Sequence, residues 1–426
     1  MDAVRPFQIH YQTINQLFFN QPILTLSLAS VRYRTPTVRK RTVLGTYLAN
    51  LCPCFLNRIL HLYVMDSALF PVLQHCTYLN TPSSGILSQP ILDWRRQHDE
   101  AFAVQGSQFR VTSEPLLQAT KQAIAEFFNG SVDRTFLLPN FSYGFNTLLS
   151  CLPSSYRYLL LDEDYPSVNY GVERLGLSRN YVSIDEYLED RVADGVNVHR
   201  PDVLALSLVQ YVSGIKIDFG FLKDLKRQHP QLLIIADGTQ YCGTEPFDFA
   251  TSGIDVLLAS GYKWMLAGYG NGFVMVKENI PELLIPVGKD APKPGLHHLL
   301  GKSDLSFTFE PGHQDTLAVG TLQQAINAFR TMDFSGESNQ LSTLVTAARE
   351  AFMERKLLNG SVIKRLHTHG TFFNLNGDQR LFDKLTEARI SCAMRGPGIR
   401  VGFHIYNTHA DLARLLDVLD GRNGNY

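Results

Sequence analysis

The chain has 426 residues, with 45% hydrophobic and 19% charged side chains and a formal net charge of −1. Those are ordinary proportions for a globular protein, and a charge so near zero gives no electrostatic reason to expect nucleic acid as a partner. No stretch reaches the roughly 18 uninterrupted apolar residues of a membrane span, and six cysteines in so long a chain make no disulfide framework, which favours a reducing compartment such as the cytoplasm.

Residues 1–64 stand apart from the rest. They hold seven Lys and Arg (Arg5, Arg32, Arg34, Arg39, Lys40, Arg41 and Arg58) against one acid, Asp2. An acid-poor, Arg-rich leader has the composition of an organelle transit peptide. The competing reading is a gene-model extension, with translation starting at Met65. The apolar stretch from Tyr47 to Met65 is broken by Asn50, Pro53, Asn57, Arg58 and His61. Cys52 and Cys54 form a C-x-C pair with no second pair downstream, so no metal site is expected.

From Tyr78 onward helical and strand patterns alternate. Ser113 to Asn129 reads as a helix, capped by Ser113, with Pro115 in the first turn and Gly130 at the end. Strands follow at Tyr158–Leu161, Val203–Val209, Leu232–Ala236, Asp255–Ala259 and Phe273–Val276, with a helix at Phe219–Gln228. Short apolar runs without clean alternation suit a sheet buried on both faces, and the alternation with helices predicts a doubly wound, mostly parallel α/β sheet. After about Thr321 the rhythm changes. Helices are expected at Leu322–Phe329, Leu341–Leu357 and Gln379–Ala388, and strands at Thr371–Leu375, Ile390–Met394 and Ile399–His404. A last helix is opened by a Thr408–Asp411 capping box. The expected organisation is a leader (1–64), a large domain (65–320, with a substrate-side segment at 78–112) and a smaller α+β domain (321–426).

Two of the buried strands carry chemistry. Leu232 to Asp237 ends in a carboxylate, and Asp255 to Ser260 runs into Gly261-Tyr262-Lys263-Trp264. Open α/β sheets bind ligands at the carboxyl ends of their strands. An acid and a lysine delivered there suit pyridoxal phosphate: the lysine holds the aldehyde as a Schiff base, and the acid keeps the pyridine nitrogen protonated.

Asp237-Gly238-Thr239-Gln240 followed by Ser260-Gly261-Tyr262-Lys263 resembles the class V aminotransferase family of fold-type I pyridoxal phosphate enzymes, which includes cysteine desulfurases, kynureninase and isopenicillin-epimerase-like proteins. The resemblance runs from about Tyr78 to Leu419. Because it begins just after Met65, the gene-model reading of residues 1–64 is preferred. It implies that Lys263 and Asp237 are catalytic and that Gln240 bonds the cofactor's phenolic oxygen. Ser260 and Tyr262 would reach the phosphate, Tyr262 standing where the family usually has His. Pro139 to Asn146 is similar to the family's phosphate-binding helix start. Ser142 would give it a side-chain donor, and Phe141 and Ser142 backbone amides; Asn140 and Tyr143 replace the family's Gly and Glu. Tyr165 would stack on the ring, and either Gln210 or Tyr211 would touch it.

Further along, His313 occupies the place of a hydroxyl that the family sends across a dimer to the partner's phosphate. Arg400, in an apolar strand, would grip the substrate carboxylate with its guanidinium fork, and Asn80 belongs to a loop lining the substrate side. The resemblance thus implies a homodimer acting on a small amino acid, with Lys263 moving the α-proton. Transamination or a lyase reaction leads. Cysteine desulfuration is the alternative and would need a mobile Cys392, whereas the pattern puts Cys392 in a strand. A non-catalytic protein keeping the fold, suggested by Tyr262, His313 and Asn140, is a further reading, and a leader-tethered peripheral membrane protein another. Gly301-Lys302-Ser303 ends like a nucleotide-binding loop, but Gly295 is misplaced for that motif and no strand feeds it.

Overall fold

A computed structural model describes residues 67–280, 284, 302–330, 340–365 and 368–422. The expectations for residues 1–64 and for Gly301 lie outside those residues.

In chain order, β1 (Thr77–Tyr78) is followed by α1 (Gln89–Gln105), α2 (Ser107–Phe127) and β2 (Thr135–Leu138). Then come α3 (Phe141–Ser150), β3 (Tyr158–Leu161), α4 (Pro166–Glu173), β4 (Arg179–Val182) and α5 (Leu188–His199). The sheet continues with β5 (Val203–Ser207), α6 (Phe219–Gln228), β6 (Leu233–Asp237), β7 (Val256–Ser260) and β8 (Gly272–Val276). Helices α7 (Asp304–Phe309), α8 (Thr316–Arg330), α9 (Gln340–Glu354) and α10 (Gly360–Ile363) follow. The chain closes with β9 (Phe372–Leu375), α11 (Gln379–Glu387), β10 (Ile390–Ser391), β11 (Ala393–Arg395), β12 (Gly398–Gly402) and α12 (His409–Leu419).

Seven strands form the main sheet in the order β2-β8-β7-β6-β5-β3-β4. All neighbours are parallel except the two pairs made by β8. Both faces are buried. Leu204, Leu206, Ile234, Ala236 and Leu257 join one apolar core with α2, α5, α6 and α8, while Val203, Ala205, Leu233, Ile235 and Leu258 join a second with α3, α4 and α7. This two-sided burial is why the strands read as unbroken apolar runs. A smaller antiparallel sheet, β11-β12-β9, follows, and β1 pairs in parallel with β10, tying the start of the described chain to its end. The expected fold class is therefore observed: a large, mostly parallel doubly wound sheet with further α+β structure behind it.

Helix α6 has the expected bounds, its start fixed by Asp218, whose carboxylate accepts from Phe221 N–H. The Thr408–Asp411 capping box opens α12, two residues before the expected start at Asp411. The helix read from Ser113 starts instead at Ser107, and Pro115 lies inside it. Gly106, at φ 54°, is the break between α1 and α2. The hydroxyls of Thr112 and Ser113 donate to the carbonyls of Phe109 and Arg110, so Ser113, read as a cap, instead serves the turn before the proline. The pattern named none of β1, α1, β2, α4, β4, α5, α7 and α10. β4 is an edge strand with alternating exposure, and its Arg-Asn-Tyr-Val sequence is too polar to read as core. The single strand expected at Ile390–Met394 is two short strands in different sheets.

Among the described residues, no helix is long and apolar enough to cross a membrane and no group of His, Cys, Asp and Glu is arranged to hold a metal.

Candidate active site

The strand ends at one edge of the main sheet converge on a cavity of about 600 Å³. β6 delivers Asp237, β7 delivers Ser260, β5 delivers Ser207, and the turn after β3 delivers Tyr165. β2 runs antiparallel to β8, which runs antiparallel to β7, so the end of β2 reaches the same edge and hands over to α3. This is the edge at which parallel sheets bind ligands.

Asp237 is buried, and its Oδ1 accepts from Thr239 N–H at 2.8 Å. Burial pushes its carboxyl above the usual carboxylate range, the Thr239 bond and the Lys263 charge pull the other way, and Asp164 adds to the rise. Lys263 is equally enclosed; burial pulls its ammonium below the usual lysine value, Asp237 opposes that, and Arg400 and Arg395 reinforce it. Its Nζ lies 5.3 Å from the Tyr165 ring centre and 5.5 Å from that of Tyr262, within cation–π range. The turn that aims it is tight. Gly85 N–H donates to Tyr262 O, Leu266 N–H donates to Lys263 O, and a Cβ on Gly85 would stand 2.1 Å from Lys263 O.

At the opposite end, Asn140 caps α3 by accepting from Tyr143 N–H. This explains why Asn serves where the resemblance implies Gly. The Phe141 amide, expected to be a free backbone donor, instead donates to Ser260 Oγ at 2.8 Å. Ser260 thereby keeps its own hydroxyl hydrogen to donate. Ser142 Oγ lines the cavity and donates to Ser167 Oγ at 2.7 Å.

Gln240 lines the cavity with its amide orientation set. Trp264 Nε1–H can only donate, so it takes Gln240 Oε1 at 2.7 Å, and Gln240 Nε2 donates to Pro82 O at 3.0 Å. Of Gln210 and Tyr211, the structure places Tyr211 at the cavity, edge-on to Tyr165 with ring centres 5.5 Å apart. Gln210 is a correction. Its Oε1 accepts from Val212 N–H and from Ser213 N–H and Oγ, and its Nε2 donates to Glu163 O. That amide is consumed in shaping the loop that presents Tyr211. Tyr262 stacks on Tyr269 with ring centres 5.0 Å apart, and Tyr269 OH donates to Ser84 Oγ.

Arg400 sits on β12 behind Ser83 and Tyr211, 2% exposed. It donates to Tyr211 O and to Ser83 Oγ, while its Nε has no partner. Among the described residues no carboxylate lies within ion-pair distance of it. Burial, reinforced by Arg395, pulls its guanidinium down to about 10. Asn80 does not line the cavity. Its backbone carbonyl anchors the Ser83 and Ser84 amides, and its buried Oδ1 has no partner. His313 is exposed on the loop after α7, outside the cavity lining.

Several contributors were not read from the sequence. Asp164 is buried, and its two oxygens accept from Tyr165 N–H and Ser207 N–H, so it binds the ends of β3 and β5 together beneath the cavity. Thr239, Trp264 and Tyr269 also contribute, and Ser83, from the loop expected on the substrate side, lines the cavity. The one available signal was an acidic run, Asp162-Glu163-Asp164, following an apolar strand, close to the pattern that marked Asp237. Cys392 is buried between β10 and β11, and burial pushes its thiol up to about 12.

The class V aminotransferase family model matches residues 180–415. An uncharacterized aminotransferase, YcbU, of Bacillus subtilis is 20% identical over 84% of this chain and 97% of its own length. Among solved structures, the apo cysteine desulfurase of Thermococcus onnurineus superposes with a TM-score of 0.70 at 14% identity, covering 83% of this chain and 96% of that one. A C-DES mutant with glycine covalently linked to its PLP cofactor superposes at 0.68 and 19% identity, covering 83% and 99%. With more than half of its length matched by the family model, and an acid and a lysine meeting at the carboxyl edge of its sheet, the chain belongs to the class V aminotransferase family.

Proposed function

We propose that this chain binds pyridoxal phosphate in the cavity and acts on the α-carbon of a small amino acid, as an aminotransferase or a lyase. The residues present fit the cofactor. A primary amine, Lys263, and a buried carboxylate, Asp237, line one cavity, and Ser142, Ser260 and the capped start of α3 lie at its far end. When bound, the cofactor supplies an aldehyde for amines and a conjugated ring that withdraws electrons from the α-carbon.

The chain's own residues divide the remaining tasks. Asp237, held by Thr239, keeps a proton at the ring nitrogen. Ser260, whose hydroxyl hydrogen is uncommitted, donates to the phosphate, helped by the positive end of α3, while Ser142, its hydrogen given to Ser167, lines that end of the cavity. Tyr165 offers its ring as a stacking face, and Gln240, oriented by Trp264, turns an N–H toward the ring oxygen. Lys263 anchors the cofactor and then carries the proton to and from the α-carbon. A depressed pKa suits that role, since part of the lysine is then neutral near physiological pH. The homodimer, the cytoplasmic location and the division into domains at 65–320 and 321–426 accompany this reading.

The observation that carries it is Arg400: a buried guanidinium, free of any carboxylate among the described residues and bonded to Ser83 and Tyr211, two residues that line the cavity, suits an amino acid's carboxylate. Desulfuration through an enzyme thiol is less well served. Among the described residues, Cys76, Cys151, Cys242 and Cys392 all lie off the cavity, and Cys392 is buried.

The test is an absorbance spectrum of the purified protein with pyridoxal phosphate, before and after borohydride, and of Lys263→Ala. A visible band that borohydride abolishes and that the variant lacks is expected. Absence of the band at saturating cofactor would overturn the reading in favour of a non-catalytic protein.

A further inference from the structure

Arg400 is not alone on its face of the small sheet. In the antiparallel pair β11–β12, Ala393 stands opposite Arg400 and Arg395 opposite Gly398. Directly opposed residues share a face, and so do residues two apart on one strand. Ala393, Arg395 and Arg400 therefore lie on one side of this hairpin, and Arg395 is the diagonal neighbour of Arg400, with roughly 7–8 Å between their backbones. Ala393 and Gly398 are too small to separate the two guanidiniums.

The hairpin is also anchored at the cavity. Its turn residue Gly396, at φ 52°, sits so close to Val212 that a Cβ would be 2.7 Å from Val212 Cγ1. Val212 follows Tyr211, which lines the cavity and whose carbonyl holds Arg400. Arg395, next to Gly396 in the hairpin and outside the residues that line the cavity, is exposed, and among the described residues its guanidinium has no hydrogen bond and no carboxylate within 4.0 Å. Its charge is felt by both Lys263 and Arg400, which puts it within electrostatic reach of the substrate's position. Two guanidiniums on one face without an acid between them are mutually repulsive. A ligand with two anionic groups relieves that repulsion.

We propose that Arg395 and Arg400 together select an amino acid that carries a second anionic group on its side chain, a short dicarboxylic amino acid or its sulfinate or sulfonate counterpart. The inference rests on the function proposed above and names its substrate class. Arg400 takes the α-carboxylate and Arg395 the distal anion, at the open end of the cavity where a side chain points away from Lys263.

The cofactor-loaded protein is titrated with aspartate, asparagine, glutamate and glutamine, following the change in cofactor absorbance, and the titrations are repeated with Arg395→Gln and Arg395→Lys. A hydrogen-bonded charge pair is worth about 1.5–3 kcal/mol, so the acidic member of each pair should bind roughly tenfold to a hundredfold tighter than its amide. Arg395→Gln should collapse that ratio toward one, and Arg395→Lys should restore part of it. Equal affinity for acid and amide in the unmodified protein would overturn the proposal, as would a ratio that survives in Arg395→Gln. A protein that carries the cofactor yet responds to none of the four, nor to alanine, serine or cysteine titrated alongside them, would overturn the amino-acid reading beneath it as well. If amides and simple neutral amino acids alone respond, only the acidic-substrate inference fails.

Discussion

Replacing Arg400 by Met should separate stability from function. The guanidinium is 2% exposed and pulled from the usual arginine range down to about 10, chiefly by burial and then by Arg395. That displacement corresponds to about 3 kcal/mol spent keeping the charge inside the fold. Methionine removes the charge at similar length. It also forfeits two hydrogen bonds, to Tyr211 O and Ser83 Oγ, each worth about 1–2 kcal/mol net. Both acceptors border the cavity and can be rehydrated. The two effects nearly cancel, so cofactor-free Arg400→Met should unfold within about 1 kcal/mol of the unmodified protein. Amino-acid affinity should fall by roughly a hundredfold, the loss expected for a charged carboxylate contact. Urea denaturation of the apo form and spectral titration of the loaded form measure the two quantities separately. A variant destabilised by more than about 2 kcal/mol that still binds amino acids normally would refute the reasoning: Arg400 would then be a structural strut and not a substrate grip.

Other expectations concern the surroundings of the site. His404 is fully buried and fixed as a neutral tautomer, its Nε2 donating to Trp264 O and its Nδ1 accepting from Ile405 N–H, and burial holds it down to about 4. In the unfolded chain it takes up a proton near 6.5, so it contributes stability in full above that pH and loses it as pH falls toward 4. His404→Gln should flatten that part of the acid-denaturation curve; an unchanged curve would count against the assignment. Gly85→Ala places a Cβ against Lys263 O and must shift the catalytic turn. A loss of about 1–3 kcal/mol is expected, with a displaced cofactor band, and a normal spectrum would mean the turn is softer than argued. Cys392→Ala should leave amino-acid turnover nearly intact; abolition of sulfur transfer from cysteine in that variant would revive the desulfurase alternative.

Much of the architecture could be read along the chain because two-sided burial leaves a local trace. The runs at Tyr158–Leu161, Leu233–Asp237 and Val256–Ser260 are apolar up to the Asp and Ser that end the last two, because both faces are covered, and α6 and α12 announce themselves by side-chain caps. Asp237 and Lys263 were legible for the same reason, each being a charged residue just past a buried strand. The rest depended on contacts between distant segments. The competition between Gln210 and Tyr211 was decided by which side chain the loop's amides consume, and Gln210 lost because Val212 and Ser213 take its oxygen. The Phe141 amide was claimed by Ser260, 119 positions away. Gln240 acquired its orientation from an indole N–H, and Asp164 was drawn under the cavity by the amides of Tyr165 and Ser207. Sequence patterning by itself determined which strands are buried and where their charged ends fall, because burial acts on each segment through its own composition. Tertiary structure alone decided which donors remain free for a ligand, because a hydrogen bond can be spent only once and its partner is chosen by the fold.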